Sequence, residues 1–286
     1  MVKTILIWGK VISFKLNCLK KTKKGKMQTI GIIGGLGPEA TQLLFKKIVD
    51  KTPAEYDQEH LPLMIFNNPQ IPDRTKAILY NGKSPVPELI RSARILEISG
   101  ADFIVIPCNT AHCFIKEIEN KVSIPFINMI EATAQDIKRK YPLVKKIGLL
   151  ATSGTVSSKI YHQKFSKIDM EIITPSEDEQ ENIVMESVYG KKGIKAGVHD
   201  YPGKQLERAG RSLINRGAEL IITGCTEISI VVKQENVDYP IVDPLTILAE
   251  KSVQTALIPK TSIDYAHYRL ENLPEKEVLE ILEEEE

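Results

Sequence analysis

Cysteine is scarce in this sequence: the chain of 286 residues has four. So few, widely separated thiols exclude a disulfide scaffold and favour a reducing environment, so we expect a cytoplasmic protein. Long apolar runs are also missing. Because no stretch approaches the length needed to cross a bilayer, we expect no membrane partner.

A surplus of charge of one sign is missing as well, since the formal net charge is +1. The two ends nevertheless differ: residues 1–26 carry eight lysines and no acid, whereas residues 271–286 carry eight glutamates and one lysine. The part between them is close to neutral, which argues against a nucleic-acid partner. We interpret residues 1–26 as a basic extension before the first strand, and residues 259–286 as a peripheral acidic tail.

Two of the cysteines lie in matching motifs. Cys108 and Cys225 each follow a short run rich in β-branched residues, and each run is preceded by Gly-Ala and an acid. The two cysteines are 117 residues apart, and the pair Ile30 and Ile147 has the same separation. Pro125 and its counterpart Pro240 are 115 residues apart. Three matches in the same order indicate an internal duplication.

The alternation of apolar runs and helical patterns predicts an α/β fold with helices on both faces of parallel sheets. We therefore expect two pseudo-symmetric, flavodoxin- or Rossmann-like domains: residues 27–130, completed by 243–258, and residues 131–242. The predicted strands are 28–34, 61–67, 103–107, 124–128, 146–151, 170–174, 219–223 and 240–242. The predicted helices are 38–51, 87–98, 110–119, 130–140, 154–166, 176–189, 203–215 and 244–257.

This fold places both motif cysteines at the carboxyl ends of parallel strands, where open α/β sheets bind ligands. Cys108 also precedes a predicted helix, whose N-terminus favours a thiolate. Because the same motif pattern recurs at Cys225, we expect lowered pKa values for both thiols. We interpret Cys113 as a helix-packing residue and Cys18 as incidental.

Each half also offers one cation in a loop upstream of its cysteine. Arg74 lies in a proline-rich segment and Lys195 in a segment bounded by Gly193 and Gly197. Because loops at the ends of strands face the expected site, both side chains are candidates for binding a carboxylate.

Two other functions compete at this stage. Residues 35–40 fit the dinucleotide-binding pattern G-x-G-x-x-A, although the second strand ends without an acid for a ribose, and the cysteines would then be structural. Cys108, His112 and Cys113 could contribute to a metal site, but their spacing matches no common zinc pattern. We therefore expect neither a metal nor a cofactor, and interpret His112 as a supporting residue.

Several motifs together resemble the aspartate/glutamate racemase superfamily, and its aspartate racemase branch in particular. The resemblance covers about residues 27–258. It rests on four segments: residues 30–38 (IGIIGGLGP), 67–75 (NNPQIPDRT), 107–112 (PCNTAH) and 224–227 (GCTE). Glutamate racemases are less similar, since they have a His at the position of Glu227.

The resemblance implies a cofactor-independent amino-acid racemase, usually a homodimer, with its site between the two domains. Cys108 and Cys225 would be the two catalytic acid/base residues. The substrate, a dicarboxylic amino acid, would be bound by Arg74 and Lys195 at its side-chain carboxylate and by further residues, namely Asp73, Thr75, Asn109, Thr110, Ala111 and Thr226. A broad-specificity racemase or another isomerase of the superfamily, such as a maleate isomerase, is the alternative.

Two cysteines suit this reaction. Inverting an α-carbon without a cofactor needs one group to remove the proton and another to return one on the opposite face. A thiolate and a thiol fill these roles and exchange them with the hand of the substrate. The side chains of Asn109, Thr110 and Thr226 would stabilise the charge that develops on the α-carboxylate.

Overall fold

A computed structural model describes residues 27–259 of the chain. The basic extension 1–26, with Cys18, and the acidic tail from 260 onward lie outside the described residues. Within 27–259 the fold is α/β, with one parallel sheet of three strands and a second of four. In this part of the chain, none of the helices is both long and apolar enough to span a membrane.

The first sheet has the strand order β2-β1-β3. Its strands are β1 (Ile30–Gly34), β2 (Leu63–Asn67) and β3 (Phe103–Val105). Every residue of β1 and β3 is buried, as expected for parallel strands that are covered on both faces. Strand β2 lies at the edge and is partly exposed.

The second sheet has the order β5-β4-β6-β7. Its strands are β4 (Lys146–Leu150), β5 (Glu171–Ile173), β6 (Leu220–Thr223) and β7 (Ile241–Val242). The register repeats that of the first sheet: Gly31 pairs with Ile104 between β1 and β3, and Gly148 pairs with Ile221 between β4 and β6. Both partners are displaced by the 117 residues that separate the motif cysteines. The predicted pseudo-symmetric parallel sheets are thus confirmed.

The helices connect the strands and cover both sheets. They are α1 (Pro38–Lys51), α2 (Arg74–Leu79), α3 (Val86–Ile98), α4 (Ile115–Glu119), α5 (Met129–Lys140), α6 (Ser153–Ser157), α7 (Ile160–Ser166), α8 (Glu177–Glu179), α9 (Glu186–Tyr189), α10 (Asp200–Asn215), α11 (Ile228–Val231) and α12 (Pro244–Ala256). Short 3-10 helices cover Asp57–Glu59, Thr110–Phe114, Ile194–Ala196 and Gln234–Asn236, and a π-helix covers Gln180–Met185.

Apolar stripes hold these helices on the sheets. Leu44 of α1 and Leu248 of α12 pack with Ile32 of β1 on one face of the first sheet, and Leu89 of α3 packs on the other face. In the second half, Phe165 of α7 and Leu213 of α10 belong to the cores on opposite faces. Helix α12 follows β7 in the chain yet packs on the first sheet, so the chain returns to its first half.

Several predicted elements differ from the structure. Residues 124–128 are not a strand: Phe126 forms a single parallel bridge to Ile104, because Pro125 has no N–H to donate and Asn128 already caps α5. The predicted helix 110–119 begins as a 3-10 helix, and the predicted helix 154–166 is interrupted at Lys159, which has φ 58°. The predicted helix 176–189 contains the π-helix at its centre.

Candidate active site

A small cavity lies where the loops that follow the strands of the two sheets meet. Its empty volume is about 250 Å³, and both motif cysteines line it. The other lining residues are Leu36, Arg74, Asn109, Thr110, Thr152, Tyr189, Lys195, Thr226 and Glu227. They come from both halves of the chain, so the cavity occupies the cleft between them.

Hydrogen bonds between the halves form the floor of this cleft. Thr226 Oγ1 donates to the carbonyl of Pro107 at 3.2 Å, which joins the two cysteine loops directly. The Thr110 hydroxyl lies 2.8 Å from that of Thr155, and the Tyr161 hydroxyl donates to Asn109 Oδ1 at 2.6 Å. All five side chains are buried, so these bonds fix the loops relative to each other.

On one side of the cavity, Cys225 belongs to a chain of three polar groups. Its thiol donates to Glu227 Oε2 at 3.0 Å, and Glu227 Oε1 forms an ion pair with Lys195 Nζ. Lys195 sits in the 3-10 helix Ile194–Ala196, and its ammonium lies 5.5 Å from the centre of the Tyr189 ring.

This arrangement changes the pKa values of Cys225 and Glu227. Burial and then the Glu227 carboxylate raise the pKa of the Cys225 thiol well above its usual range. Burial alone would raise the pKa of Glu227, but Lys195 outweighs it and the net pKa is lowered. The expectation that a helix N-terminus lowers the thiol pKa is therefore wrong for Cys225, because desolvation and a like charge dominate.

On the other side of the cavity, a cation lies against Cys108. Burial alone would lower the pKa of Arg74, but Cys108, followed by Tyr189 and Asp73, raises it. The guanidinium donates to three backbone carbonyls: Nη2 to Leu36 at 2.9 Å, and Nη1 to Ile71 at 3.1 Å and Pro72 at 3.0 Å. Arg74 thereby ties the β1–α1 turn to the segment before α2.

His112 connects the Cys108 loop to the start of α5. Its Nδ1 lies 2.9 Å from the carbonyl oxygen of Cys108, and its Nε2 accepts from the backbone N–H of Met129 at 3.1 Å. Because Nε2 is an acceptor, the proton of the neutral ring is assigned to Nδ1. Burial lowers the pKa of His112 to about 4.

Two residues that line the cavity each have a polar atom without a hydrogen-bond partner among residues 27–259. These atoms, Arg74 Nε and Asn109 Nδ2, are buried. Because Tyr161 already occupies Asn109 Oδ1, the amide nitrogen of Asn109 is left free. Buried donors without partners are costly, so this pair points to an acceptor supplied by a ligand.

Comparison with known proteins agrees with this geometry. The sequence profile of the Asp/Glu/Hydantoin racemase family matches residues 33–252. The chain belongs to this family. It is similar to the broad specificity amino-acid racemase RacX of Bacillus subtilis, with 29% identity over 80% of this chain and 98% of RacX.

Two solved structures extend the likeness to this racemase fold. The chain is 32% identical to the Picrophilus torridus aspartate racemase, over 79% of this chain and 94% of that one, with a TM-score of 0.71. It is 25% identical to an aspartate racemase homologue from Pyrococcus horikoshii, over 80% of this chain and 99% of that one, with a TM-score of 0.63.

Three of the residues predicted for a racemase site do not line the cavity: Asp73, Thr75 and Ala111. Asp73 is the N-cap of α2, and its Oδ1 accepts from Lys76 N at 2.7 Å. Arg74, which was expected in a loop, is therefore the first residue of this helix, although it does line the cavity. Thr75 is buried against Gly154 of the second half, since a Cβ added to Gly154 would lie 2.8 Å from Thr75 Oγ1. Ala111 is buried in the apolar core beside Cys108.

Four residues that line the cavity were not predicted as site residues: Leu36, Thr152, Tyr189 and Glu227. The 117-residue offset of the duplication pairs Thr152 with Gly35, which does not line the cavity, so the duplication would not have identified Thr152. Leu36 lies in the segment 30–38 that carries the resemblance, but no sequence signal marks its side chain or that of Tyr189 as part of a site. Glu227 was noted only as a difference from glutamate racemases, and its contact with both Cys225 and Lys195 depends on the three-dimensional fold.

The structure gives little support to the competing dinucleotide and metal sites. In the G-x-G-x-x-A turn, a Cβ added to Gly35 would lie 2.4 Å from the backbone of Asn68. The segment at Asn68 therefore occupies the side of the turn at Gly35 and leaves no space there for a ligand. Across residues 27–259, no three His, Cys, Asp or Glu side chains form a group able to hold a metal ion.

Proposed function

We propose that this protein racemises aspartate without a cofactor, using Cys108 and Cys225 as a thiolate and thiol pair. One observation carries the proposal: two cysteines at duplicated positions, one from each half of the chain, line a single small cavity. This placement suits a reaction in which two groups act on opposite faces of one carbon.

The chemistry follows from the two sides of the cavity. A thiolate on one side takes the α-hydrogen of the substrate, and the thiol on the other side gives its proton to the resulting carbanion. The negative charge spreads onto the α-carboxylate, and the free Asn109 Nδ2 donor supports its binding. Thr110 and Thr226 flank the same region of the cavity.

Two cations support aspartate as the substrate. Arg74 and Lys195 both line the cavity, and a dicarboxylic amino acid brings a second carboxylate for such groups to bind. The likeness to the Picrophilus torridus aspartate racemase points in the same direction.

Broad specificity for amino acids is the second candidate. Lys195 is already paired with Glu227, and both terminal nitrogens of Arg74 already donate to carbonyls, so neither cation depends on a substrate carboxylate. RacX, which is similar to this chain over 98% of its own length, is a broad specificity amino-acid racemase. Assembly as a homodimer and a cytoplasmic location remain predictions from the sequence.

A chiral assay separates these candidates. Purified protein, kept reduced and without added cofactor, is incubated separately with the L and D forms of aspartate, glutamate, alanine and lysine, and the products are resolved by chiral chromatography. We expect both hands of aspartate to racemise well ahead of alanine and lysine. Comparable rates for all four would favour broad specificity.

The double variant Cys108→Ser/Cys225→Ser is the control, and its activity should be absent. If folded native protein racemises none of these amino acids, the proposed function is wrong. Binding of a dinucleotide such as NAD, measured by calorimetry on the same sample, would then support the alternative of another class.

A further inference from the structure

The two cysteines of the site differ in their charged neighbours, although they occupy duplicated positions. Cys225 donates its S–H to a buried carboxylate, Glu227 Oε2, at 3.0 Å. Cys108 instead lines the cavity together with the cations Arg74 and Lys195, and no hydrogen bond to a carboxylate is found for its thiol among residues 27–259. A carboxylate that accepts from a thiol favours the protonated form, whereas a neighbouring cation favours the thiolate.

We propose that Glu227 is a positioning residue that keeps Cys225 as the proton-bearing cysteine of the empty site, so that Cys108 begins as the base. This inference rests on the proposed function for its role in catalysis. It assigns the starting roles of the pair, which the near-symmetry of the two halves leaves open.

The surroundings of Glu227 fix its side chain and favour its ionised form. Its side chain is buried, its other oxygen is paired with Lys195, and the Thr226 hydroxyl lies 3.4 Å from Oε2. It also lies beside the N-terminus of α1: a Cβ on Gly37, the N-cap, would be 3.2 Å from Glu227 Oε1. The positive end of a 14-residue helix and an ammonium group both favour the ionised carboxylate.

The remaining ionisable groups around the cysteines do not reverse this difference. Tyr161 and Tyr189 are coupled to Cys225, and burial raises the pKa of both phenols, so they stay neutral. Near Cys108, burial raises the pKa of the Cys113 thiol and lowers that of His112, so these two are neutral as well. Lys195 faces both cysteines, but its ion pair is with Glu227.

The roles then change during one turnover. The Cys108 thiolate takes the α-hydrogen as a proton: the C–H bond breaks and an S–H bond forms. The S–H bond of Cys225 breaks, and its proton goes to the opposite face of the carbanion. A thiolate now faces Glu227. After the product leaves, Cys225 takes a proton from water and Cys108 gives one to water, which restores the starting state.

Thiol alkylation of the empty enzyme tests this assignment. The protein is treated with iodoacetamide over a pH series that spans the ordinary thiol pKa of about 8.5, and modification at each cysteine is followed by peptide mass spectrometry. The two sulfurs are equally hidden, since Cys108 is 6% exposed and Cys225 is 5% exposed. A difference in rate therefore reports thiolate content more than access.

In the native protein we expect Cys108 to be alkylated at least about tenfold faster than Cys225 near neutral pH. In Glu227→Gln the Cys225 profile should move to lower pH, and its rate should rise about tenfold for each pH unit of the shift. The matched control is Glu131→Gln, since Glu131 also pairs with a lysine, Lys164, but away from the cavity. That variant should leave both profiles unchanged.

A second variant covers the case in which Glu227→Gln does not fold. Lys195→Met removes the countercharge but keeps the carboxylate, so the Cys225 profile should move to higher pH. The proposal is overturned if native Cys225 reacts as fast as Cys108, or if its profile stays in place in both variants. Because no amino acid is present, this outcome is independent of whether the protein racemises aspartate.

Discussion

The hydroxyl of Tyr161, which lies in the second half of the chain, donates a 2.6 Å hydrogen bond to Asn109 Oδ1 in the first half. Tyr161 is fully buried and Asn109 directly follows Cys108. The bond fixes the amide of Asn109, a cavity-lining residue whose Nδ2 has no hydrogen-bond partner within residues 27–259. A residue far from the cysteine motif in the sequence thus sets the direction of a donor in the site.

Tyr161→Phe should lower the free energy of unfolding by about 1 kcal/mol, because Asn109 Oδ1 loses its donor. It should also raise KM for the substrate, since the Asn109 amide is no longer held. Urea unfolding and steady-state kinetics measure the two effects. Tyr239→Phe is the matched control: it loses a 2.9 Å bond to the Glu207 carbonyl outside the cavity and should leave KM unchanged. Equal KM values in both variants would contradict a role for Tyr161 in the site.

Replacing either motif cysteine should separate proton exchange from inversion. Cys108→Ser and Cys225→Ser should each lose at least about 10²-fold in racemisation, because one face lacks its acid or base. The remaining cysteine should still exchange the α-hydrogen of one hand with deuterated water, and the two variants should prefer opposite hands. Chiral chromatography and mass spectrometry follow inversion and exchange. Near-normal racemisation by either variant is incompatible with the two-cysteine mechanism.

Lys195→Met should distinguish acidic from neutral substrates. If the ammonium binds the second carboxylate of aspartate, its loss should lower kcat/KM for aspartate about 10-fold to 100-fold more than for alanine. Lys51→Met, which removes a lysine paired with Glu250 outside the cavity, is the control. A uniform decrease for both substrates would assign Lys195 to support of Glu227 and not to substrate choice.

Acid should destabilise the protein through His112. Burial lowers the pKa of this group to about 4 in the folded state, against about 6.5 when unfolded, so the unfolded chain binds the proton more readily. Stability is therefore complete above the unfolded pKa and falls between about pH 6.5 and pH 4, by up to ~3 kcal/mol.

Urea unfolding at several pH values measures this loss. His112→Gln should be less stable at neutral pH, because it loses the bonds to Cys108 and Met129, but its stability should depend less on pH in that window. His199→Gln, at the surface beside Glu39, should keep the native pH dependence. The same steep slope in His112→Gln would assign the acid sensitivity to another group.

Periodicity and duplication predict most of the fold, because both depend on local sequence. Helix α1 matches its predicted bounds, and the offset between the cysteines recurs in the strand register. The errors arise where a local signal competes with the backbone. Pro125 interrupts a strand-like run, and the left-handed Lys159 divides a region with continuous helical character.

The site was predictable where a motif carries it and unpredictable where only the fold brings residues together. Cys108, Asn109 and Cys225 are in recognisable motifs, and all three line the cavity. The raised pKa of Cys225 could not be predicted, since it depends on burial and on the rotamer that directs Glu227 to the sulfur. Tyr189 reaches the cavity through the packing of α9, for which the sequence offers no sign.

The hydrogen bond from Thr226 to Pro107 also limits how the cleft can change shape. Together with the Thr110–Thr155 contact, it joins the two halves directly beside the cysteines. Any rotation of one half against the other that keeps both contacts leaves the spacing of the two cysteine loops almost unchanged, so the distance across which a proton has to be relayed is fixed by two contacts of threonine side chains that take no part in the proton transfer.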